Sequence, residues 1–248
     1  MTTCAGSFDR PREGSPCLGL IVPPAHGRVP GDGRVLYGER ARFLARGLGL
    51  AEISTRGYEG VIDHVVALAA ELAAEGAQAI SLMGTSLSFF RGARFTEELQ
   101  AALAAATGLP CTTMSHAILR AMRALGLQRV AVATAYIDDV NERLATFLAA
   151  SGVEATVVRG LSITGVEAVG RVPTEALVEL CEAVWQARSG ADGILISCGG
   201  LLTLEAIRVV EGRLGVPVVS SSPAGFWDLM RSARLDSRSP GHGRLFEA

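Results

Sequence analysis

The chain has 248 residues, of which 49% are hydrophobic and 19% charged, with a formal net charge of −2. This balance gives no electrostatic basis for binding nucleic acid or an anionic membrane surface, and no apolar run approaches the roughly 20 residues of a membrane-spanning helix. All 23 basic residues are arginines. The lack of lysine excludes a Schiff base with pyridoxal phosphate, a lysine-dependent aldolase mechanism and a P-loop.

The N-terminal segment and the spacing of the cysteines and histidines further limit the location and the chemistry that we expect of this protein. Residues 1–16 are polar and lack the apolar core of a signal peptide, so we expect a disordered tail and a cytoplasmic protein. The five cysteines and four histidines are irregularly spaced, which predicts no metal site. No Gly-x-Gly-x-x-Gly follows a predicted strand. We therefore expect chemistry carried out by side chains without a cofactor.

Hydrophobic periodicity predicts alternating strands and helices along the first half of the chain. In order, the elements are a strand at 18–22, a loop at 30–33, helices at 40–48 and 58–75, a strand at 79–83, a helix at 95–106, a strand at 111–114 and a helix at 116–125.

The same alternation then starts again. In order, the second series has a strand at 129–134, a helix at 138–150, a strand at 154–158, a helix at 173–187, a strand at 193–196, a helix at 201–214, a strand at 218–221, a helix at 226–230 and a loose segment after 233. Strands that alternate with helices imply parallel sheets.

An internal repeat relates the two series. Residues 81–87 align with residues 195–201, and each stretch is followed by a helix, a Gly-x-Pro turn and a short strand. We therefore predict an α/β fold of two pseudo-symmetric parallel-sheet halves with the active site in the cleft between them. The predicted first half is 17–115 plus 223–248, and the second is 116–222.

Cys198 lies between the end of one predicted strand and the start of a helix, which is where ligands bind in open α/β sheets. Gly199 and Gly200 allow backbone amides to approach a bound anion. Three interpretations of the cysteine are a buried structural thiol, a nucleophile and a catalytic acid or base. A nucleophile needs a histidine base, and no histidine follows a comparable strand. Since a thiol titrates near neutral pH, we favour the acid or base.

Two further stretches could supply hydrogen-bond donors to an anion. Gly84, Thr85 and Ser86 form the matching turn of the first half, which we expect to face Cys198 across the cleft. These residues are either an ordinary helix cap or a cradle for an oxyanion. Tyr136 follows the first strand of the second half, where it serves either as a core tyrosine or as a further donor.

Long stretches of this sequence resemble the aspartate/glutamate racemase superfamily, and within it the arylmalonate decarboxylase family. The resemblance covers nearly the whole chain from 19 to 246. Its most specific stretches are residues 21–24, 81–89, 133–143, 163–168 and 197–202. Racemases of the superfamily use a cysteine from each half, whereas Gly84 occupies the position of the first cysteine here. Two-base racemisation is therefore not expected.

The resemblance implies a cofactor-free decarboxylation of an α-aryl, α-substituted malonate, a small dicarboxylate, to a chiral monocarboxylate. Cys198 would take the family's proton-donor role. Residues of the dioxyanion hole would be Thr85, Ser86, Tyr136 and Gly199, and those of the apolar pocket for the departing carboxylate would be Pro23, Leu50, Leu87 and Val166. At two neighbouring pocket positions, Ile53 and Val169, the sequence departs from the family's pattern, which affects substrate range more than chemistry.

Two other functions remain open at this point. One is a racemase or isomerase of the same superfamily, such as a maleate isomerase, against which Gly84 argues. The other is a non-catalytic protein that binds small carboxylates in the cleft, for which Cys198 would be dispensable. The sequence carries no surface stripe that predicts an oligomer, and nothing in it argues against a monomer.

Overall fold

The computed structural model describes residues 14–187 and 190–247. The first series of elements is β1 (Cys17–Val22), α1 (Gly31–Tyr37), β2 (Arg42–Gly47), α2 (Thr55–Glu59), a 3₁₀ turn (Ile62–His64), α3 (Val65–Ala74), β3 (Ala79–Leu82), α4 (Thr85–Phe89), α5 (Ala93–Thr107), β4 (Cys111–Thr113) and α6 (Met114–Ala124). Residues 1–13 of the tail predicted at 1–16 lie outside the described residues.

The second series repeats this alternation. Its elements are β5 (Arg129–Thr134), α7 (Asp138–Ala150), β6 (Glu154–Gly160), α8 (Val166–Val169), α9 (Thr174–Ala187), β7 (Gly193–Ser197), α10 (Leu204–Leu214), β8 (Val218–Ser220), α11 (Ser221–Ser232) and a 3₁₀ turn (Arg244–Phe246).

The strands form two four-stranded sheets, in the orders β2-β1-β3-β4 and β6-β5-β7-β8. Every strand pair is parallel. The second order repeats the first with each strand number raised by four, as an internal repeat requires. The predicted α/β fold of two parallel-sheet halves is therefore confirmed.

Helices α6 and α11 pack on one another between the sheets and also contact β4 and β8. Every residue of α11 from Ser221 to Met230 is buried, and Asp228 on this helix pairs with Arg120 of α6 at 2.7 Å. The division into 17–115 plus 223–248 and 116–222 places its boundaries inside these two helices, and it stays a prediction.

Some predicted elements were wrong or had wrong bounds. The helix at 40–48 is strand β2, which pairs along its whole length with β1, because pairing to a neighbour outweighs local periodicity at an edge strand. The loop at 30–33 contains the start of α1, and the helix at 58–75 is interrupted after α2. The segment after 233 is not loose, since Leu245 and Phe246 are buried.

Two helix starts also matter for the site. The helix predicted from 201 begins at Leu204, so a turn separates it from Cys198. The helix predicted at 226–230 extends from Ser221 to Ser232. Among the described helices, none has the length and apolar character needed to cross a membrane.

Candidate active site

A cavity of about 200 Å³ opens beyond the carboxyl ends of β1, β3 and β7, and both halves of the chain line it. Parallel strands direct their carboxyl ends to one edge of a sheet, where ligands of α/β proteins bind. The lining residues singled out from the sequence are Pro23, Leu50, Gly84, Thr85, Ser86, Leu87, Val166, Cys198 and Gly199, together with Ile53 and Val169. Tyr136 is not among the lining residues.

Cys198 follows the last residue of β7 and presents a largely buried thiol to the cavity. Burial raises the pKa of this thiol to about 11, and hydrogen bonds from the Gly200 amide and the Tyr136 hydroxyl oppose part of the rise. Since α10 begins only at Leu204, the helix dipole acts on the sulfur from a greater distance than the sequence suggested. The thiol is therefore the resting form at neutral pH.

Gly199 brings the cysteine turn close to the first half. A Cβ atom at this position would lie 2.8 Å from the Met114 sulfur and 3.0 Å from the Met83 carbonyl oxygen. A larger residue at this position would therefore require the Met114 side chain to shift and would crowd the Met83 carbonyl. The two strand-end turns thus meet across the cavity, as the repeat predicts.

The facing turn is built from Gly84 and the first residues of α4. Gly84 precedes the helix in an extended conformation, and its carbonyl accepts the first helical hydrogen bond from Ser88. The first amides of a helix have no partner within it, which leaves them free to bind an anion. Hydrogen bonds from the Ser88 and Ser115 hydroxyls to the Thr85 carbonyl hold the turn in place.

Tyr136 lies behind the cavity wall, fully buried, with its hydroxyl 3.4 Å from the Ser197 hydroxyl. Burial raises its pKa well above the usual value, and negative charge on Cys198 would raise it further, while hydrogen bonds from Ser197 and Ser86 oppose the rise. The phenol is therefore neutral and serves as a donor beside the sulfur.

Tyr58 of α2 is a residue of this cluster that the sequence reasoning missed. Its side chain is fully buried, and no group among the described residues hydrogen bonds to its hydroxyl with ordinary geometry. Burial raises its pKa, with Ser86 opposing the rise and Cys198 adding to it. The hydroxyl thus lies near both residues. No motif marks Tyr58 in the sequence, because only the folded chain brings α2 close to Ser86 and Cys198.

Apolar side chains form a further part of the cavity wall, which His26, Arg28 and Glu167 also line. Pro23 follows β1, Leu50 follows β2, Leu87 lies on α4 and Val166 begins α8. Leu50 and Leu87 are almost fully buried. The structure therefore brings the four predicted apolar residues to the same cavity as Cys198.

Contacts between the halves involve residues that line the cavity, among them Ile53, His26 and Glu167. The Ile53 amide donates to the Thr164 carbonyl at 2.7 Å, beside an isolated antiparallel bridge between Glu52 and Gly165. His26 Nε2 lies 3.7 Å from a carboxylate oxygen of Glu167. These contacts join the loop after β1 and the segment after β2 to α8 and the residues just before it.

A metal centre finds no support in the described part of the chain. There, no group of three or more histidine, cysteine, aspartate or glutamate side chains is arranged to hold a metal ion.

Comparisons with known proteins relate the chain to decarboxylases and isomerases. Over half of its length the chain is 32% identical to a maleate isomerase of Nocardia farcinica, covering 51% of that protein. The crystal structure of the maleate isomerase Iso from Pseudomonas putida S16 superposes with a TM-score of 0.86 over 94% of this chain and 99% of that one. At 22% identity, this likeness shows a shared fold only.

The likeness to arylmalonate decarboxylase is much greater. The chain is 58% identical to the arylmalonate decarboxylase of Bordetella bronchiseptica over 94% of its length and 97% of that protein. A crystal structure of arylmalonate decarboxylase superposes with a TM-score of 0.85 at 59% identity, over 94% of this chain and 99% of that one. The family model for arylmalonate decarboxylase matches residues 18–246. The chain therefore belongs to the arylmalonate decarboxylase family.

Proposed function

We propose that this protein decarboxylates α-aryl-α-substituted malonates to chiral α-aryl carboxylates without a cofactor. The observation that carries the proposal is one cavity that combines a protonated thiol, two turns rich in hydrogen-bond donors and an apolar wall. Membership of the family supports the same reaction. The substrate would be a small dicarboxylate, held between the two halves of the chain.

In this proposal, the donors hold the carboxylate that stays. Loss of CO₂ from the other carboxylate leaves an electron pair that spreads onto both oxygens of the remaining one, which gives an enediolate. Thr85, Ser86, Tyr136 and the Gly199 amide are assigned to these two oxygens. Fixed donors of this kind stabilise developing charge because they need no reorganisation during the reaction.

The departing carboxylate is assigned to the apolar wall made by Pro23, Leu50, Leu87 and Val166. A carboxylate there receives few hydrogen bonds, whereas CO₂ is neutral and needs none. Breaking of the carbon–carbon bond therefore relieves an unfavourable contact. The altered positions Ile53 and Val169 line the same cavity, so they are assigned to substrate range.

Cys198 completes the reaction by donating its proton to the α-carbon of the enediolate. The sulfur then carries the negative charge and recovers a proton from solvent, which restores the resting thiol. Gly84, on the opposing turn, offers no second acid. Protonation from one face predicts one product enantiomer and little racemisation.

The test is a chiral assay of chelator-treated protein with prochiral methyl(phenyl)malonate. We expect release of one CO₂ per substrate and a large excess of one enantiomer of the product, because a single positioned acid protonates a planar intermediate. Chromatography on a chiral column measures the excess. A racemic product would contradict single-face protonation. If the protein does not decarboxylate methyl(phenyl)malonate but isomerises maleate, the assignment moves to an isomerase.

Removing one oxyanion donor checks the assigned hole. Tyr136→Phe keeps the buried ring and deletes only the hydroxyl, so we expect kcat to fall about 10²–10³-fold, as for other single oxyanion donors. Steady-state kinetics with methyl(phenyl)malonate measure the loss. Tyr37→Phe is the matched control, since Tyr37 is equally buried and its hydroxyl donates to the Ser237 carbonyl, away from the cavity. A fall below about tenfold for Tyr136→Phe would remove Tyr136 from the hole.

A further inference from the structure

Ser222 is a polar residue on the cavity wall. Neither the sequence analysis nor the proposed mechanism assigns it a role. It is the second residue of α11 and is almost completely buried, yet it lines the cavity. Its hydroxyl oxygen has no hydrogen-bond partner of ordinary geometry among the described residues. Asp32 is the neighbouring group on which this hydroxyl acts as a hydrogen-bond donor, which leaves the lone pairs of the buried oxygen for a ligand or water to complete.

Asp32 of α1 stands behind this hydroxyl. Its carboxyl is buried, and one oxygen, Oδ2, lacks a partner among the described residues. Burial raises the pKa of Asp32 to about 6, and the neighbouring Ser222 hydroxyl opposes part of the rise. The carboxyl is therefore mostly ionised above neutral pH, although it lies in the protein interior.

The packing of α1 on α11 holds the carboxyl in this place. A Cβ atom on Gly33 would lie 2.1 Å from the Phe226 ring, so the two helices approach more closely than any side chain at this position would allow. Pro30 and Val29, just before α1, line the cavity themselves. Asp32 is thus held behind Ser222 where α1 and α11 pack closely together.

An ionised carboxylate only accepts hydrogen bonds, so the hydroxyl proton of Ser222 turns towards Asp32. The lone pairs of the serine oxygen then face the cavity as an acceptor. A substrate carboxylate has no proton to donate to this oxygen and is repelled by Asp32. The Ser222 oxygen therefore prefers a different kind of ligand from the oxyanion donors at Thr85, Ser86 and Gly199. What fits is a neutral or cationic hydrogen-bond donor.

We propose that Ser222, backed by Asp32, is a specificity-determining subsite that binds a hydroxyl or amino group on the aryl substituent of the malonate. The subsite refines the proposed function and depends on it. It predicts that the protein prefers aryl malonates that carry a hydrogen-bond donor on the ring.

The experiment compares kcat/KM for methyl(phenyl)malonate with that for its ortho-, meta- and para-hydroxyphenyl counterparts. We expect the wild type to favour at least one hydroxyphenyl isomer, and Ser222→Ala to reduce that ratio about fivefold to tenfold, the usual effect of one hydrogen bond. Because a ratio is measured, a general loss of activity cancels. The methoxyphenyl analogues accept a hydrogen bond but cannot donate one. Neither the wild type nor Ser222→Ala should favour them over methyl(phenyl)malonate.

Two variants control for structural effects. Ser221→Ala removes the neighbouring hydroxyl, which is also buried and has no hydrogen-bond partner among the described residues but is not on the cavity wall. This variant should leave the ratio unchanged. Asp32→Asn should reduce the ratio as Ser222→Ala does. If the ratio of kcat/KM values for Ser222→Ala stays within about twofold of the wild-type ratio, the proposed subsite is wrong and Ser222 only binds water. No turnover of methyl(phenyl)malonate by the wild type would overturn the proposed function, and the subsite with it.

Discussion

Replacing Cys198 with alanine is expected to lower kcat for methyl(phenyl)malonate by about 10³-fold or more, within the range that a positioned general acid contributes. The thiol lines the cavity, and it is protonated at neutral pH because burial raises its pKa to about 11. Without it, the enediolate must take a proton from water, which can reach either face. The residual product should therefore be nearly racemic.

Cys111→Ala is the matched control for this variant. Cys111 is as buried as Cys198, at 6% exposure, and burial raises its pKa too, but it lies on β4 and is not among the residues that line the cavity. Its replacement should leave both rate and enantiomeric excess unchanged. A Cys198→Ala variant that keeps wild-type rate and enantiomeric excess would show that the proton comes from another group.

The pH profile offers a second readout of the same prediction. An acid works only while protonated, so activity that depends on Cys198 should persist through pH 8–9, where an ordinary thiol loses its proton, and fall as the pH rises through about 11. Alkylation of Cys198 by iodoacetamide at neutral pH should be slow for the same reason, since the thiolate is the reactive form. Rapid alkylation at pH 7 would contradict a protonated resting thiol.

The parts of the fold that the sequence predicts well are those that local patterns determine. The strands of the second half are short apolar runs bounded by turns, and β5 and α7 have the predicted bounds. Strand β2 was missed because its spacing of apolar residues also suits a helix. Only pairing with β1, which lies 25 residues earlier at Cys17–Arg42, decides between the two.

Local patterns likewise predict some residues of the candidate site and miss others. Cys198 and Gly84 stand in strand-end turns, which glycines and chain order mark in the sequence, so the cavity could be anticipated between them. Tyr58, Asp32 and Ser222 come from α2, α1 and α11 and have no neighbouring motif. Long-range packing brings them to the site, as when Phe226 contacts Gly33, and no local pattern encodes such a contact.

Introducing a second thiol by Gly84→Cys is expected to add racemase activity towards an α-aryl carboxylate. The turn at Gly84 faces Cys198, so a thiol there can remove or deliver a proton on the opposite face of the α-carbon, and a positioned acid–base group contributes about 10²–10⁴-fold. The backbone at Gly84, with φ −131° and ψ 99°, suits any residue. The wild type should racemise the same compound more slowly by a factor in that range.

The fit of the new side chain is tight but feasible. A Cβ atom at Gly84 would lie 3.1 Å from Leu87 Cβ and 3.3 Å from Pro23 Cγ, so these side chains must move by a few tenths of an ångström. Because both residues are assigned to the pocket of the departing carboxylate, decarboxylation should slow at the same time. Gly84→Ala fills the same space without a thiol, and it separates this steric effect from the new chemistry.

The double variant Gly84→Cys, Cys198→Ala tests the geometry itself. With the thiol moved from Cys198 to the opposite turn, protonation should occur from the other face, and the product of methyl(phenyl)malonate should have the opposite hand to that of the wild type. Chiral chromatography of the product distinguishes the two outcomes. If Gly84→Cys gains no racemase activity and the double variant keeps the original hand, the two turns do not face opposite sides of the α-carbon, and the assignment of one face to each half of the chain is wrong.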